Sequence, residues 1–340
     1  MRRIGILTGG ADCPGLNSVI RAVVRKGIQE GYVITGIKNG WLGLIDNDMK
    51  VLDLKQTSGI LDRGGTLLGT SRINPLEDAS QIKKIEENYR RSGIDALIVV
   101  GGEVTLTVAL ELYRRKAIKI IGVPKSIDNS LSGTDYAFGF DTAVNIATEC
   151  IDRLHTTAES HHRIMVIEVM GRYTGWVALE AGIAGGADII MIPEIPVDIE
   201  EVCESLRSRH QRGKTFSIIV ASEGAQVKGR PEFNQAFKKN HQFGGFGESI
   251  AKEIEQGTGY DTRVSVLGYI QRGGTPSAYD RIIGTRFGIH AVGLAKEEKF
   301  GHMVSLKNNI VQSVPIEGAI EKRKIVKMDI YDMAKVFFAE

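Results

Sequence analysis

The chain has 340 residues, with 43 basic and 41 acidic side chains and a formal net charge of +2 at pH 7. So balanced a charge gives no electrostatic attraction to nucleic acid or to an acidic membrane surface, and neither is expected as a partner. Three cysteines without CxxC spacing argue against a disulfide scaffold or a zinc cluster. The first apolar run is too short for a signal peptide or a membrane span. We therefore predict a cytoplasmic protein of about two domains.

Apolar strands, glycine turns and helices alternate along most of the chain. Predicted strands span 3–8, 32–38, 95–100, 118–123, 163–169, 216–221 and 265–267. Predicted helices span 17–30, about 105–116 and a segment that starts near 174. Units of this kind predict largely parallel sheets with helices on both faces and ligands at the carboxyl ends of the strands. A polar, glycine-containing stretch at 226–247 is expected to be a long connection.

The segment 122–135 concentrates polar chemistry at the end of the predicted strand 118–123. Asp128 in this position can take a proton from a substrate hydroxyl, and Lys125 can hold anionic oxygens. The alternative is a loop whose Asp, Asn and Ser side chains only cap the next helix.

Several glycine-rich turns offer sites for phosphate. Gly9-Gly10 opens a predicted helix, where amide hydrogens and the helix dipole favour an anion, although the sequence is neither GxGxxG nor GxxxxGK[ST]. Glycines also flank Arg63 and Arg72, and arginine makes bidentate phosphate contacts. Glu103 follows a strand and two glycines, a position from which its carboxylate could bind Mg²⁺ together with phosphate oxygens. Each feature alone is also compatible with a structural turn, a surface loop or an acidic helix start.

Seven motifs, in this order, carry a family resemblance: GGADCPGLN, RGGTLLGTSR, GGEVT, PKSIDNSLSGTD, MGRYTGW, ASEG and GYIQRGGTPSAYDR. Over about its first 290 residues the chain resembles the 6-phosphofructokinases, in particular the longer group with a lysine before the TIDND-like motif. The resemblance implies an α/β fold of two Rossmann-like, three-layer αβα domains with the active site in the cleft between them. The phosphoryl-donor domain would comprise residues 1–140 and 271–320. The fructose 6-phosphate domain would comprise residues 141–270 and 321–340.

The reaction implied by this resemblance transfers a phosphoryl group from ATP or pyrophosphate to the 1-hydroxyl of fructose 6-phosphate, in glycolysis. Asp128 would be the general base, Arg172 would stabilise the transferring group, and Glu103 would hold Mg²⁺. Lys125 and Ser126 would complete the catalytic set, with Ser126 replacing the motif's usual threonine. The donor is implied to bind at Gly10, Ala11, Arg72, Glu103, Val104 and Thr105.

The resemblance also implies a sugar-phosphate site that is shared between subunits. The sugar would contact Ser126, Asp128, Met170, Gly171, Arg172, Glu223 and Tyr269, and its 6-phosphate would contact Arg163, Arg263 and Arg272. Because Arg163 and Arg263 are expected from a neighbouring subunit, a homo-oligomer is implied, either a dimer or a tetramer.

A second set of residues resembles the effector site of the family: Arg21, Arg25, Asp188, Arg212 and Lys214. Leu54 and His155 replace two further arginines of that site. For Arg21 and Arg25 we prefer the alternative of a solvated helix face.

The chain departs from the family pattern mainly at donor positions. Ala11 replaces a glycine, and Ser130 replaces the second aspartate of the TIDND-like motif. Val104 occupies the position where glycine leaves room for ATP and aspartate marks pyrophosphate enzymes. In the absence of that aspartate, ATP is slightly favoured here.

Two other positions differ from relatives. Val108 replaces a small glycine of short ATP-type members, and Tyr269 replaces a histidine. These departures support an alternative interpretation, in which the chain is a catalytically impaired relative that binds sugar phosphate or nucleotide as a regulatory subunit. A Rossmann dehydrogenase is not favoured, because the dinucleotide fingerprint is absent.

Overall fold

The computed structural model describes residues 2–230 and 245–338, so most of the expected connection at 226–247 lies outside the described residues. The chain divides into two compact units. The first unit comprises Met1–Ile127, Leu131–Thr142 and Arg272–Arg323. The second unit comprises Asp128–Ser130, Ala143–Gln271 and Lys324–Glu340.

The strands, in chain order, are β1 (Arg3–Thr8), β2 (Val33–Ile37), β3 (Met49–Leu52), β4 (Ala96–Gly101), β5 (Ile120–Pro124), β6 (Ile164–Val169), β7 (Ile189–Met191), β8 (Ser217–Ser222), β9 (Thr262–Val266), β10 (His302–Lys307) and β11 (Ile310–Pro315). The helices are α1 (Leu16–Gln29), α2 (Trp41–Ile45), α3 (Ala79–Ser92), α4 (Glu103–Arg114), α5 (Phe140–His161), α6 (Trp176–Ala184), α7 (Ile199–Gln211), α8 (Gly245–Thr258), α9 (Ala278–Lys296), α10 (Ile316–Ile320) and α11 (Met328–Lys335). Short 3₁₀ turns lie at Pro75–Glu77 and Gly268–Arg272.

The first unit is built on a seven-stranded sheet in the order β11-β10-β5-β4-β1-β2-β3. Its strands pair in parallel, except that β3 and β11 pair antiparallel with their neighbours at the two edges. Every residue of β4 is buried, because helices cover both faces of a parallel sheet. Leu97 and Val99 point to one face and join the apolar cluster that includes residues of α3 and α4.

The second unit has a four-stranded parallel sheet in the order β7-β8-β6-β9. Alternate residues of its central strands, such as Val166 and Ile219, pack with apolar residues of α7 and α8. All six residues of β6 and of β8 are buried. These two strands therefore end in a protected environment, and their carboxyl ends can hold polar side chains in fixed positions.

Two helices of the first unit approach each other closely through glycine. A Cβ added to Gly288 in α9 would lie 2.7 Å from the Cβ of Ala22 and 2.7 Å from the carbonyl oxygen of Val19, both in α1. At Gly284, one turn earlier, an added Cβ would lie 3.1 Å from the carbonyl oxygen of Gly15. The backbones of α1 and α9 are thus in contact, and no larger side chain fits there without a shift.

Buried Asp280, in the first turn of α9, fixes the start of α5 within the first unit. Its carboxylate accepts hydrogen bonds from the amides of Gly139 and Thr142, each at 2.8 Å. Burial raises the pKa of Asp280 to about 6, against the opposing effect of these hydrogen bonds.

The predicted fold class, α/β with largely parallel sheets, is confirmed. The boundaries differ in places: α4 begins at Glu103 rather than near Thr105, since Gly102 caps it and an acidic residue suits its first turn. Strand β9 begins at Thr262, three residues before the predicted start, because Thr262–Val266 pair with β6. Within the described residues, no helix is both long and apolar enough to cross a membrane.

Candidate active site

The loops predicted to bind the phosphoryl donor lie at the carboxyl ends of three neighbouring strands of the first unit, β5, β4 and β1. The amide of Gly10 donates to the carbonyl of Ser71 at 2.9 Å, and the hydroxyl of Thr70 donates to the carbonyl of Gly10 at 2.6 Å. The loop after β1 is thereby joined to the segment that carries the exposed Arg72. These hydrogen bonds bring together two glycine-rich segments that are far apart in the sequence.

Lys125 and Thr105 pack against the glycine turn after β1. Lys125 is 5% exposed, and its ammonium group donates to the carbonyl of Ala11. A Cβ on Gly9 would lie 2.7 Å from the methyl group of Thr105, so a side chain does not fit there. Gly10 has a φ of 80°, whereas Ala11 has no positive φ and its methyl group causes no backbone strain. The replacement of glycine at position 11 is therefore compatible with the loop.

The amino end of α4 presents Glu103 and Val104. Val104 is 59% exposed, whereas Val108 is fully buried and belongs to the apolar core. The carboxylate of Glu103 is held by a fork from Arg323: Nε donates to Oε2 at 2.9 Å and Nη2 donates to Oε1 at 3.1 Å. Sequence reasoning missed this contact, since 220 residues separate its partners and no motif contains Arg323.

Asp128 is fixed by contacts from two other residues of the second unit. The hydroxyl of Ser130 donates to Asp128 Oδ1 at 2.9 Å, and the hydroxyl of Thr174 donates to the Asp128 carbonyl at 3.1 Å. Between them, Asn129 is buried and has a φ of 50°, a left-handed conformation that asparagine tolerates. Ser130 thus replaces the motif's aspartate with a hydrogen-bond donor to the carboxylate of Asp128.

Ser126 and Arg272 lie in the first unit. Ser126 is buried, and its amide donates to the carbonyl of Phe138 at 3.3 Å. Arg272 donates to the carbonyl of Asp12, in the turn after β1, at 3.3 Å. Both residues are therefore anchored by main-chain contacts.

Met170, Gly171 and Glu223 lie together where β6 and β8 end. The amide of Gly171 donates to Glu223 Oε1 at 3.4 Å, and the hydroxyl of Ser222 donates to the carbonyl of Gly171 at 2.6 Å. Gly171 has a φ of 148°, and a Cβ there would lie 2.3 Å from the Ser222 hydroxyl oxygen. The partly buried Arg172 follows directly. At position 171 the backbone can adopt this conformation only with glycine.

Arg163 and Arg263 lie at the opposite end of the same sheet. Arg163 immediately precedes β6 and Arg263 is the second residue of β9, and Asp261 forms ion pairs with both. A six-residue strand spans about 20 Å, so these arginines are far from Met170 and Gly171 of the same chain. One feature of the sequence could have identified Asp261 as a partner of these arginines, namely its position two residues before Arg263.

The remaining predicted residues are Tyr269 and those of the effector site. Tyr269 is 61% exposed and belongs to the second unit, in the 3₁₀ turn Gly268–Arg272 that follows β9. Arg21 and Arg25 lie on α1 of the first unit, whereas Asp188, Arg212 and Lys214 belong to the second.

Asp188 is almost fully buried beside an arginine that the sequence analysis did not select. Arg209 pairs with it at 2.6 Å. Burial raises the pKa of Asp188, while a hydrogen bond from the amide of Ile218 and the charge of Arg209 oppose that shift.

Comparison with known proteins identifies the family of this chain. A model described as "Phosphofructokinase" matches residues 3–295. A Streptomyces coelicolor protein named pyrophosphate--fructose 6-phosphate 1-phosphotransferase is 50% identical over 344 residues, covering 99% of each chain. A Corynebacterium efficiens protein named ATP-dependent 6-phosphofructokinase is 46% identical over 344 residues, again covering 99% of each.

Solved structures agree with this result. The structure of phosphofructokinase from Saccharomyces cerevisiae matches 99% of this chain with a TM-score of 0.82 and 30% identity. This chain spans 46% of the yeast chain. From the family model and from relatives aligned along nearly the whole sequence, we conclude that this chain belongs to the phosphofructokinase family.

Proposed function

We propose that this chain is a 6-phosphofructokinase, a phosphotransferase of glycolysis that phosphorylates the 1-hydroxyl of fructose 6-phosphate. The observation that carries the proposal is Asp128, whose carboxylate is held by the Ser130 hydroxyl at 2.9 Å and whose carbonyl is held by Thr174. A base held by hydrogen bonds is oriented before the substrate binds. The relatives named above as ATP- or pyrophosphate-dependent enzymes support this assignment.

In the proposed reaction, the 1-oxygen of the sugar forms a bond to phosphorus as the bond between phosphorus and the leaving group of the donor breaks. The proton of the sugar hydroxyl passes to the carboxylate of Asp128. Arg172 and Lys125 supply positive charge to the phosphoryl oxygens, since phosphoryl transfer depends mainly on positioning and charge stabilisation. Met170, Gly171 and Glu223 hold the sugar.

Mg²⁺ is the proposed cofactor, with Glu103 as its protein ligand. Within the described residues no group of three His, Cys, Asp or Glu side chains converges on one point. Mg²⁺ is nevertheless commonly held by one or two carboxylates together with substrate phosphates, so the single carboxylate of Glu103 fits an ion that arrives with the donor. When bound, such an ion neutralises charge on the donor phosphates.

A second copy of the chain is proposed to complete the sugar-phosphate site. The positions of Arg163 and Arg263, about a strand length from Met170 and Gly171, support this, because one copy cannot bring both groups to one small sugar phosphate. In a symmetric oligomer, the arginines of one subunit reach the sugar held by its neighbour.

The test is formation of fructose 1,6-bisphosphate from fructose 6-phosphate and Mg²⁺, with ATP and with pyrophosphate in parallel assays. We expect turnover with at least one donor, and Asp128→Asn should lower kcat by about 10²–10⁴-fold, the usual contribution of a general base. The matched control is Asp135→Asn, since Asp135 is an exposed aspartate of the same segment that pairs with Lys307. It should keep the wild-type rate.

Two results would contradict the proposal. Undiminished turnover in Asp128→Asn would remove the assigned base. A folded wild-type protein that binds fructose 6-phosphate but turns over with neither donor would be the impaired, regulatory relative. That second candidate is favoured by one observation, the Arg323 fork on the only proposed metal ligand.

A further inference from the structure

Arg323 occupies both carboxylate oxygens of Glu103, at the amino end of α4. The two hydrogen bonds, of 2.9 and 3.1 Å, form the side-by-side fork that arginine makes with carboxylates. Both side chains are only partly exposed, 39% for Glu103 and 41% for Arg323. Arg323 lies beyond residues 3–295, the part matched by the family model.

The backbone of Arg323 is also held in place. It forms an antiparallel bridge with Leu131, a buried residue three positions after Asp128, within the first unit. The guanidinium group is therefore directed to Glu103 from a fixed main-chain position. Most surface ion pairs contribute little, and this pair differs from them in its two-point contact.

We propose that Arg323 is the resident counter-ion of Glu103 and must release it before Glu103 binds a divalent cation. The residue thereby sets the divalent-cation affinity of the donor site. The inference rests on the proposed function, which makes Glu103 the metal ligand.

A metal ion and Arg323 would compete for the space and the charge around one carboxylate. A magnesium ion requires a ligand oxygen at about 2.0–2.1 Å. An ion bound to either oxygen of Glu103 would lie within a few ångströms of the guanidinium group. At that separation, repulsion between a divalent ion and the arginine disfavours binding by about tenfold or more, even at the dielectric constant of water. Binding of the ion is therefore favoured when the fork has opened.

The same helix carries a matched control. Arg114, in the last turn of α4, pairs with Glu317 near the start of α10, so this pair also joins α4 to the segment that leads to Arg323. It is more exposed, and it lies at the other end of the helix from Glu103. Loss of the Arg114 pair should alter the packing of this segment without changing the charge at Glu103.

The experiment titrates Mn²⁺ into the full chain in the presence of a donor analogue that cannot transfer its terminal phosphoryl group, with methylenediphosphonate for pyrophosphate and β,γ-methylene-ATP for ATP in parallel titrations. Free Mn²⁺ is followed by electron paramagnetic resonance, so the measurement needs no turnover. We expect Arg323→Gln to tighten Mn²⁺ binding by about tenfold, and Arg114→Gln to leave it unchanged. In a Glu103→Gln background, Arg323→Gln should tighten binding by a clearly smaller factor, because the ion no longer binds to the carboxylate beside Arg323.

Several outcomes would overturn the inference. These are unchanged or weaker Mn²⁺ binding by Arg323→Gln, an equal gain by Arg114→Gln, or no measurable Mn²⁺ binding by any form. If Arg323→Gln fails to fold, Arg323→Lys provides the test, since lysine keeps the charge but not the fork and should tighten binding by a smaller factor. Failure of the proposed function would be seen separately, as absence of fructose 1,6-bisphosphate formation by the wild-type chain.

Discussion

Val104 is the residue where the choice of phosphoryl donor can be tested. Its side chain is 59% exposed at the amino end of α4, next to Glu103, and its two methyl groups occupy space that glycine would leave open. We expect Val104→Gly to raise kcat/KM for ATP relative to that for pyrophosphate, by about 3–30-fold, because a bulky donor gains room while a small donor gains nothing.

The measurement for this prediction is a pair of kcat/KM values, one per donor, for each protein. Thr107→Gly, one turn later on the exposed side of the same helix, controls for the loss of helix stability caused by glycine. A donor ratio that stays constant in Val104→Gly, or that shifts equally in Thr107→Gly, would show that position 104 does not select the donor.

For individual residues of the candidate site, the sequence predicted which residues belong to it better than it predicted their hydrogen-bond partners. Asp128 could be selected because it lies in the polar segment after an apolar strand, and strand ends are where an α/β sheet places ligands. Gly171 and Glu223 were selected only through the family resemblance. The Ser130 hydrogen bond to Asp128 was not predicted, since the change from aspartate was noted only as a lost carboxylate. The Arg323 fork could not be predicted, because nothing local to either residue specifies a partner 220 positions away.

Among the elements, the contact between α1 and α9 has the strictest steric requirement. The backbones meet at Gly288, where an added Cβ would lie 2.7 Å from both Ala22 Cβ and the Val19 carbonyl oxygen. We expect Gly288→Ala to lower the free energy of unfolding by about 1–3 kcal/mol, because two rigid helices must separate to admit the methyl group.

Urea denaturation of the purified variants measures this effect. The control is Gly293→Ala, in the same helix, where an added Cβ meets no atom within 4 Å and alanine should stabilise the helix by up to about 1 kcal/mol. Equal effects of the two substitutions would contradict the steric explanation.

Most of the described strands were predicted, because their patterns are local. The apolar run Arg3–Thr8 matches β1 residue for residue, and glycine turns mark the ends of β4 and β6. The edge strands β3 and β11 were not predicted, since they are short or largely exposed and alternate without a continuous apolar run. Their strand conformation depends on pairing with β2 and β10, which is tertiary information.

On the scale of the whole molecule, the positions of Arg163 and Arg263, the proposed 6-phosphate ligands, predict complementation between inactive chains. If Arg163 serves the site of a neighbouring subunit, a mixture of Asp128→Asn and Arg163→Ala chains forms hybrids in which one site has both residues intact. For equal amounts of two chains in a dimer, this should restore about a quarter of the wild-type activity after joint refolding.

The control for complementation mixes Asp128→Asn with Glu223→Gln. Glu223 lies at the end of β8 in the same unit as Asp128, so both defects affect the site of the chain that carries them and no hybrid site is intact. A mixture of Asp128→Asn and Arg163→Ala that is no more active than its components would contradict a shared site.

The contact between α1 and α9 also has a consequence for synthesis of the chain on the ribosome. Helix α1 ends at Gln29, but the glycines that cover it lie at 284 and 288, and β10 joins β5 only after a further segment is made. At usual elongation rates of about 5–20 residues per second, the apolar face of α1 waits on the order of 10–50 s for its partner helix. Nearly the whole second unit is translated within that interval. The part of the chain made first is therefore among the last to be completed, and during this delay its apolar face lacks the helix that covers it in the folded unit.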